Sequence, residues 1–535
     1  VQQDGALILA TGTGEARRLA DTLRRFAILE KCPGPYHHYR LTRHSLWNAA
    51  AAGIGTAQIV AFLEHASGAA LPETVARRIA ATLARHGRLR LVRESGTFWL
   101  RADDEALLQR VCAELGDDFA PERLSARGLA IPPARRGPLA VRLGHLGWPL
   151  SDEAGHAEGR ALAIGWRGDP PLRPYQREAV AALSSPDAPG GGSGLVVLPC
   201  GAGKTLVGVG ASVVCGCWTL IVCPNTSSVQ QWIAAYHHFT DLPPDAVGEY
   251  RAARKHPRPI TVTTYQQLTA RGSRTGDELP HLNLLGGEEW GLIIFDEAHL
   301  LPADVFRLAA DLASRRRLGL TATPVREDGR EADLAALIGP VRYDVPWATL
   351  EAQGWIAPVE CVEVRVALAG DCGDLTHRAA ATAPEKWPVV RSLARRHRGE
   401  GVLVIGQYLD QLTTTAERLE APLISGATPR ADREAAFARF RAGEEPLLVL
   451  SRVGNAAIDL PNARVAIEVS GNYGSRQEEA QRLGRLLRPK PDGSPARFYA
   501  VVADTAAEAA YAARRQRFLV QQGYRYRIVR AGARG

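Results

Sequence analysis

The sequence contains no methionine. Lysine is scarce, and nearly all the positive charge is arginine. Aromatic residues make up 6% of the chain. No apolar run approaches the roughly 20 residues that a membrane-spanning helix needs, and the start shows neither a secretory signal nor a transit peptide. The expectation is a cytoplasmic protein with no membrane partner. The eight cysteines form no zinc pattern, because Cys215, Cys217 and Cys223 cluster as C-x-C-x5-C without a matched second pair. They flank an apolar strand, where free cysteine is ordinarily core, and they read as packing thiols. The adjacent pairs His37-His38 and His237-His238 lack the i,i+4 spacing of helical metal ligands and read as surface or packing residues. With methionine missing, weight falls on spacings inside motifs rather than on distances between them.

What is present is a long globular chain. Its 535 residues suggest about three domains, and 46% apolar with 23% charged residues excludes disorder. A net charge of +8 favours a polyanionic partner, although the excess is mild for this length. Arginine suits bidentate phosphate contacts, and a GC-rich genome would give the same bias.

Residues 1–165 read as an α+β module. "SLWNAAAAGIGTAQIVAFLEHAS" and "PETVARRIAATLARHG" have helical apolar spacing, and Gly87 stops the second. "RLRLV", a Ser95-Gly96 turn and "FWLRA" follow as a hairpin. Helices followed by a two-stranded wing suggest a winged-helix element, and any small α+β module fits the same pattern. Over 166–345 the rhythm becomes strand, loop, helix: "GLVVLP", "TLIVCP", "PITVTTY", "WGLIIFDE" and "RRLGLTAT" are short β-rich runs, separated by helices such as "SVQQWIAAYHHF" and "ADVFRLAADLA". A second series over 346–535 has strands "VECVEVRVAL", "GVLVIGQ", "PLLVLS", "RVAIEVS" and "RFYAVVA", with helices "ADREAAFARFRAG" and "SRQEEAQRLGRLLR". The fold class is therefore α/β: two tandem parallel-sheet domains behind an α+β N-terminal domain.

"VLPCGAGKTLV" carries the first chemistry. A buried strand leads into a tight turn, Cys200, Gly201, Ala202, Gly203, and Lys204-Thr205 open a helix. That is the context of a phosphate-binding loop, although Leu198 stands where the usual pattern has glycine. The turn's N–H groups and the helix N-terminus suit phosphate oxygens. Lys204 is placed to neutralise the β- and γ-phosphates of ATP, and Thr205 to hold Mg2+. "GLIIFDEAHLL" sets Asp296 and Glu297 at the carboxyl end of a strand, where ligands bind in open parallel sheets. Asp296 is placed to hold Mg2+, and Glu297 to orient and deprotonate an attacking water. In "QRLGRLLR", Gln481, Arg485 and Arg488 share one helix face while Leu483, Leu486 and Leu487 take the core side. The arginine stripe reads as fingers for the γ-phosphate, giving a catalytic set of Lys204, Asp296, Glu297, Gln481, Arg485 and Arg488.

D-E-A-H, "LTAT" and Q-R-x-G-R-x-x-R together resemble superfamily 2 helicases. More closely, "LRPYQREAV", "LPCGAGKTLVG", "SSVQQW", "RRLGLTATPVREDGRE" and "SRQEEAQRLGRLLRPK" resemble the xeroderma pigmentosum group B (XPB) helicase family in its bacterial form. The resemblance covers nearly everything from 170 to 530, and "HHYRLTRHSLWNAAAAG" extends it into the N-terminal region. It implies that both α/β domains are RecA-like and that Arg173 and Gln176 recognise adenine. It implies that His299, Thr321 and Thr323 link nucleotide state to domain movement, and that the R-E-D triplet Arg326, Glu327, Asp328 serves unwinding. Gly454 and Asp459 would face the ATP site from the second domain, and Thr264 and Gln407 would touch nucleic-acid backbone. The thumb-like insertion common in that family is short and poorly matched here, in "ALAGDCGDLTHRAAATAPEKWPVV". The implied activity is an ATP- and Mg2+-dependent DNA helicase moving 3′ to 5′ on single-stranded, forked or distorted duplex DNA in repair, with a nuclease partner by family analogy. A duplex translocase, an ATP-gated DNA clamp and an RNA helicase remain as alternatives.

Overall fold

The computed structural model describes all residues except 13, 32–35, 120–123, 126, 133–134, 155–158, 185–191, 252–255, 272–278, 302–311, 313, 324–330, 370–375, 452–459, 461, 472–482, 485, 487, 489, 491, 523, 525 and 532–535. Contacts divide the chain into two units, one from most of the chain up to Asp344 and one chiefly from Val345 onward.

The first unit opens with a three-stranded antiparallel sheet of β1 (Ala6–Ala10), β2 (Ile28–Lys31) and β3 (Tyr36–Arg40), with β3 central. Three helices follow. Thr42 caps the first, its hydroxyl accepting from Ser45 N while Ser45 Oγ accepts from Thr42 N. The expected hairpin is present as β4 (Leu89–Glu94) and β5 (Thr97–Ala102). Ser95 and Gly96 both have positive φ, 48° and 83°, which matches the right-handed twist of the two strands. The hairpin is not a free wing. It lies inside a five-stranded sheet with β6 (Leu124–Ser125), β7 (Gly128–Ile131) and β8 (Leu150–Asp152), in the order β6-β7-β5-β4-β8. Leu89, Leu91, Phe98, Leu100, Val111, Leu139 and Trp148 form that sheet's own core.

The remainder of the unit is a seven-stranded parallel sheet, ordered β11-β12-β10-β13-β14-β9-β15. Its strands are β9 (Gly194–Val197), β10 (Thr219–Cys223), β11 (Val247–Glu249), β12 (Ile260–Thr264), β13 (Trp290–Asp296), β14 (Ser314–Thr321) and β15 (Val341–Asp344). The central strands are apolar runs because helices cover both faces, and every residue of β9 and β10 is buried. The short edge strands β11 and β15 escape sequence reading because three or four half-polar residues carry no periodicity.

Within this unit the N-terminal elements are fastened to the parallel sheet at several places. The Arg136–Leu146 helix packs along the Glu331–Ile338 helix, and His145 Nε2 lies 2.9 Å from Oδ1 of buried Asp333. Arg24 pairs with Asp344 at 2.8 Å, and Val341 N donates to Asn48 Oδ1 at 3.4 Å. The segment from Arg160 to Arg167 runs across the sheet's outer rim, with Leu162 N bonded to Gly216 O, Trp218 N to Arg160 O and Arg167 N to Phe239 O. Inside the five-stranded sheet, Arg136 binds both carboxylate oxygens of Asp152 at 2.7 and 2.8 Å.

The second unit is another seven-stranded parallel sheet, ordered β18-β19-β17-β20-β21-β16-β22. It comprises β16 (Val359–Val366), β17 (Gly401–Ile405), β18 (Leu423–Ile424), β19 (Leu447–Leu450), β20 (Ala463–Glu468), β21 (Ala496–Ala503) and β22 (Tyr526–Arg530). The expected helix "ADREAAFARFRAG" is found over Arg430–Ala442. All of "ADVFRLAADLA" but Leu312, and most of "SRQEEAQRLGRLLR", lie outside the described residues. Lys386 and Glu508, both buried, pair at 2.6 Å beneath the carboxyl ends of β20 and β21.

Candidate nucleotide site

β9 ends at Val197, and fully buried Leu198 continues into the turn. That explains the missing first glycine: the position is filled by strand core rather than by loop. Gly201 and Gly203 have φ of +81° and +78°, a left-handed region that side chains with a Cβ rarely enter. Gly203 is also the N-cap of the Lys204–Cys215 helix, and a Cβ on it would run into the Gln176 amide. The loop is thus shaped by its glycines against Gln176. That amide reaches the site from the Pro174–Ser184 helix, and its oxygen accepts from Arg173 N at 2.8 Å. Arg173 and Gln176, assigned to adenine by resemblance, therefore belong to one small hydrogen-bonded corner beside the loop.

Lys204 Nζ lies 3.8 Å from Glu297 Oε1. Asp296 closes β13, and its two carboxylate oxygens have separate partners: Trp232 Nε1 donates to Oδ2 at 3.0 Å, and Glu297 N donates to Oδ1 at 3.0 Å. Burial, and then the neighbouring Glu297 charge, push the Asp296 carboxyl up to about 6, against the opposing pull of Trp232 and Lys204. Glu297 has a left-handed backbone, φ 50°, which costs a residue with a Cβ on the order of 1 kcal/mol. A strained residue at the end of a catalytic strand is where such strain is expected.

From Glu297 a line of polar groups runs to the next strand. His299 Nδ1 lies 3.4 Å from Glu297 Oε2 and 3.1 Å from Thr321 Oγ1. The Thr321 hydroxyl accepts from Thr323 N at 3.2 Å and donates to Thr323 O at 2.9 Å. With its single proton committed to Thr323 O, the hydroxyl accepts from His299, which places the imidazole proton on Nδ1. His299, Thr321 and Thr323 are all buried. The D-E-A-H strand end and the T-A-T strand end are therefore joined by the His299–Thr321 hydrogen bond.

Two contributors were quoted in the sequence without a role. Trp232 lies in "SSVQQW" and Tyr265 in "PITVTTY"; Tyr265 donates to Asp296 O at 3.1 Å. An aromatic with a polar tip beside a strand end that carries a carboxylate was the signal available. Thr264 caps the Tyr265–Leu268 helix through Gln267 N. Thr205 is half-buried at the second position of its helix. In the second unit, Gln407 follows β17 and its N donates to Ser470 Oγ at 2.9 Å. Arg488 is half-buried there, while Leu483 and Leu486 are fully buried, as the face assignment requires. Arg326, Glu327, Asp328, Gly454, Asp459, Gln481 and Arg485 lie outside the described residues.

Two seven-stranded parallel sheets, one with a phosphate loop and a paired carboxylate strand end, define a RecA-like helicase core. Saccharomyces cerevisiae Dbp5 bound to RNA and ADP BeF3 has this fold, with a TM-score of 0.50 at 11% identity over 67% of this chain and 89% of that one. Residues 350–534 match the family described as ERCC3/RAD25/XPB C-terminal helicase. Residues 169–326 match the type III restriction enzyme res subunit family, and residues 1–118 match a helicase conserved C-terminal domain family. The chain is 48% identical over 99% of its length to a Kineococcus radiotolerans protein named DNA 3′-5′ helicase XPB, covering 96% of it. It is 34% identical to an Antonospora locustae protein named general transcription and DNA repair factor IIH helicase/translocase subunit XPB, over 99% of this chain and 81% of that protein. The protein belongs to the XPB helicase family.

Proposed function

We propose that this protein is an ATP-dependent DNA helicase that moves 3′ to 5′ and serves DNA repair. The observation that carries the reading is the line Lys204–Glu297–His299–Thr321, which connects a phosphate-neutralising lysine to a strand end able to report nucleotide state. The name of the 48%-identical relative supports DNA as substrate and 3′-5′ as direction.

The residues fit Mg2+. Asp296 is a half-buried carboxylate whose charge is disfavoured by its surroundings without a cation, and the Thr205 hydroxyl supplies a second hard oxygen donor. Bound there, the ion would neutralise phosphate charge. Lys204 binds the β- and γ-phosphates, and Glu297 orients the attacking water and takes its proton. His299, lying beside Glu297 and bonded to Thr321, relays the state of the Glu297 end of the site to the Thr321 strand end. Arg488, with Arg485, supplies positive charge to the γ-phosphate from the second domain, so that ATP draws the two domains together and hydrolysis releases them. The protein grips DNA mainly through phosphates, so binding is weakly sequence-specific and salt-sensitive.

The printed description helicase/translocase for the 34%-identical relative supports a second reading, in which the motor tracks along duplex without separating strands. The family resemblance adds a nuclease partner to the proposal, which co-purification from native extract tests. The deciding experiment is steady-state ATPase with no nucleic acid, single-stranded DNA, duplex DNA and RNA, alongside strand displacement on a 3′-tailed fork. DNA stimulation with displacement is expected, both abolished by Lys204→Ala in a folded protein. Stimulation by RNA over DNA, or activity surviving Lys204→Ala, overturns the reading. DNA stimulation without displacement selects the translocase.

A further inference from the structure

We propose that Cys215 and Cys217 form a thiol–disulfide exchange site at the far end of the phosphate-loop helix, with a low-molecular-weight disulfide as co-reactant. Cys215 is the last residue of the Lys204–Cys215 helix, and Gly216 is its C-cap in left-handed conformation, φ 55°. That turn folds the chain back so that the Cys217 side chain comes beside Cys215, and each thiol shifts the other's titration. A residue with a Cβ at position 216 would be strained in this turn, so the Cys-Gly-Cys order has a conformational reason.

The two sulfurs are not equivalent. Cys215 is half-buried and open to solvent, beside Val214, which is 56% exposed. Cys217 is buried, and its residue bridges to Ala161 in the rim segment. Arg315 and Arg316, at the start of β14, lie near Cys215 and lower its thiol's pKa. The neighbouring Cys217 thiol, and then these two guanidiniums, pull the Cys215 thiol down to about 7 despite burial, while the partner thiol is raised. A solvent-reachable thiolate beside positive charge is the attacking group in exchange chemistry, and an adjacent protonated thiol is the resolving one. Cys112, Cys223 and Cys361 are buried and lack this combination.

The steps balance. The Cys215 thiolate attacks one sulfur of a disulfide RSSR, forming a mixed disulfide and releasing RS−. Cys217 then loses its proton and attacks the Cys215 sulfur, closing the Cys215–Cys217 disulfide and releasing the second RS−. The protein dithiol is oxidised by two electrons and RSSR is reduced to two thiols.

The site sits on the helix that begins at Lys204. One turn back, Ser212 Oγ bonds Gly208 O at 3.2 Å and Tyr236 OH at 2.6 Å. At Gly208 the helix packs so closely on Trp232 that a Cβ would collide with the indole, and Trp232 holds Asp296. Ring closure at the helix end therefore has a packed route to the catalytic carboxylate. This consequence rests on the helicase reading, whereas the exchange chemistry does not.

The test incubates the full chain with excess oxidised glutathione, traps free thiols by alkylation and maps peptides by mass. The Cys215–Cys217 peptide should lose both free thiols without retaining glutathione. Cys217→Ser should stop with one glutathione on Cys215, and Cys215→Ser should react at neither position. Cys200, in the phosphate loop itself, is mapped in the same digest so that an adduct there is scored separately. Full alkylation of both wild-type thiols after treatment, or no adduct on Cys215 in folded Cys217→Ser, overturns the proposal. In the same samples ATP turnover should fall several-fold and recover with dithiothreitol. Unchanged turnover in protein mapped as the disulfide overturns the helix coupling and leaves the exchange site standing.

Discussion

At the scale of single residues, the site holds its carboxylate at a cost to the fold. Asp296 has its pKa raised to about 6 from an ordinary 3.8. Below the unfolded value the group is protonated in both states and costs nothing. As pH rises through the folded value, the native state must carry a partly desolvated charge, and stability falls. Asp296→Asn should therefore stabilise the nucleotide-free protein by on the order of 1–3 kcal/mol at pH 8, with the gain vanishing near pH 4, while ATPase is abolished. Thermal melts at the two pH values check this, and an equal shift at both would assign the gain to packing. Trp232→Phe removes the indole donor to Asp296. The carboxyl should then titrate higher still, moving the acidic limb of the ATPase profile to higher pH; a limb that stays put would separate that limb from Asp296.

At the scale of elements, the join between strand ends β13 and β14 carries the coupling. Thr321→Val keeps the shape but deletes the oxygen that meets both His299 and Thr323. Basal ATPase should persist while DNA stimulation drops several-fold; an unchanged stimulation ratio would make the contact purely structural. Gly208→Ala should destabilise the first unit by about 1–3 kcal/mol, since the added methyl meets Trp232. Strand ends and the phosphate loop were legible in the sequence because buried parallel strands are continuous apolar runs and motif spacing is local. The role of Trp232 was not legible, because position 232 meets 296 only after two strands are laid side by side. The hairpin was legible from Ser95-Gly96, but its three further sheet partners were not, since β6, β7 and β8 are short and their pairing is non-local. Leu198 departed from the expected glycine because the strand core extends through it.

At the scale of the whole molecule, the N-terminal elements and the first parallel sheet belong to one unit and the second sheet to another. Calorimetry should show two transitions. Arg136→Leu leaves half-buried Asp152 without its bidentate partner, and should lower only the transition of the first unit, by about 1–3 kcal/mol. Loss in both transitions would mean that the units unfold together. Arg488→Ala should reduce ATP turnover more than ATP affinity, as measured by kcat and by nucleotide titration; equal losses would make Arg488 a binding group.

The fastening of the N-terminal elements has a mechanical meaning. A part joined to its carrier at one point pivots, and a part joined at two points still rocks about the line between them. Here Arg24–Asp344, Asn48–Val341, His145–Asp333 and the rim segment at Leu162–Gly216 are four separate attachments. A load applied to the N-terminal elements therefore reaches the sheet carrying Lys204 and Glu297 through several links at once, at its β15 edge and at the Glu331–Ile338 helix beside it, rather than through a single pivot.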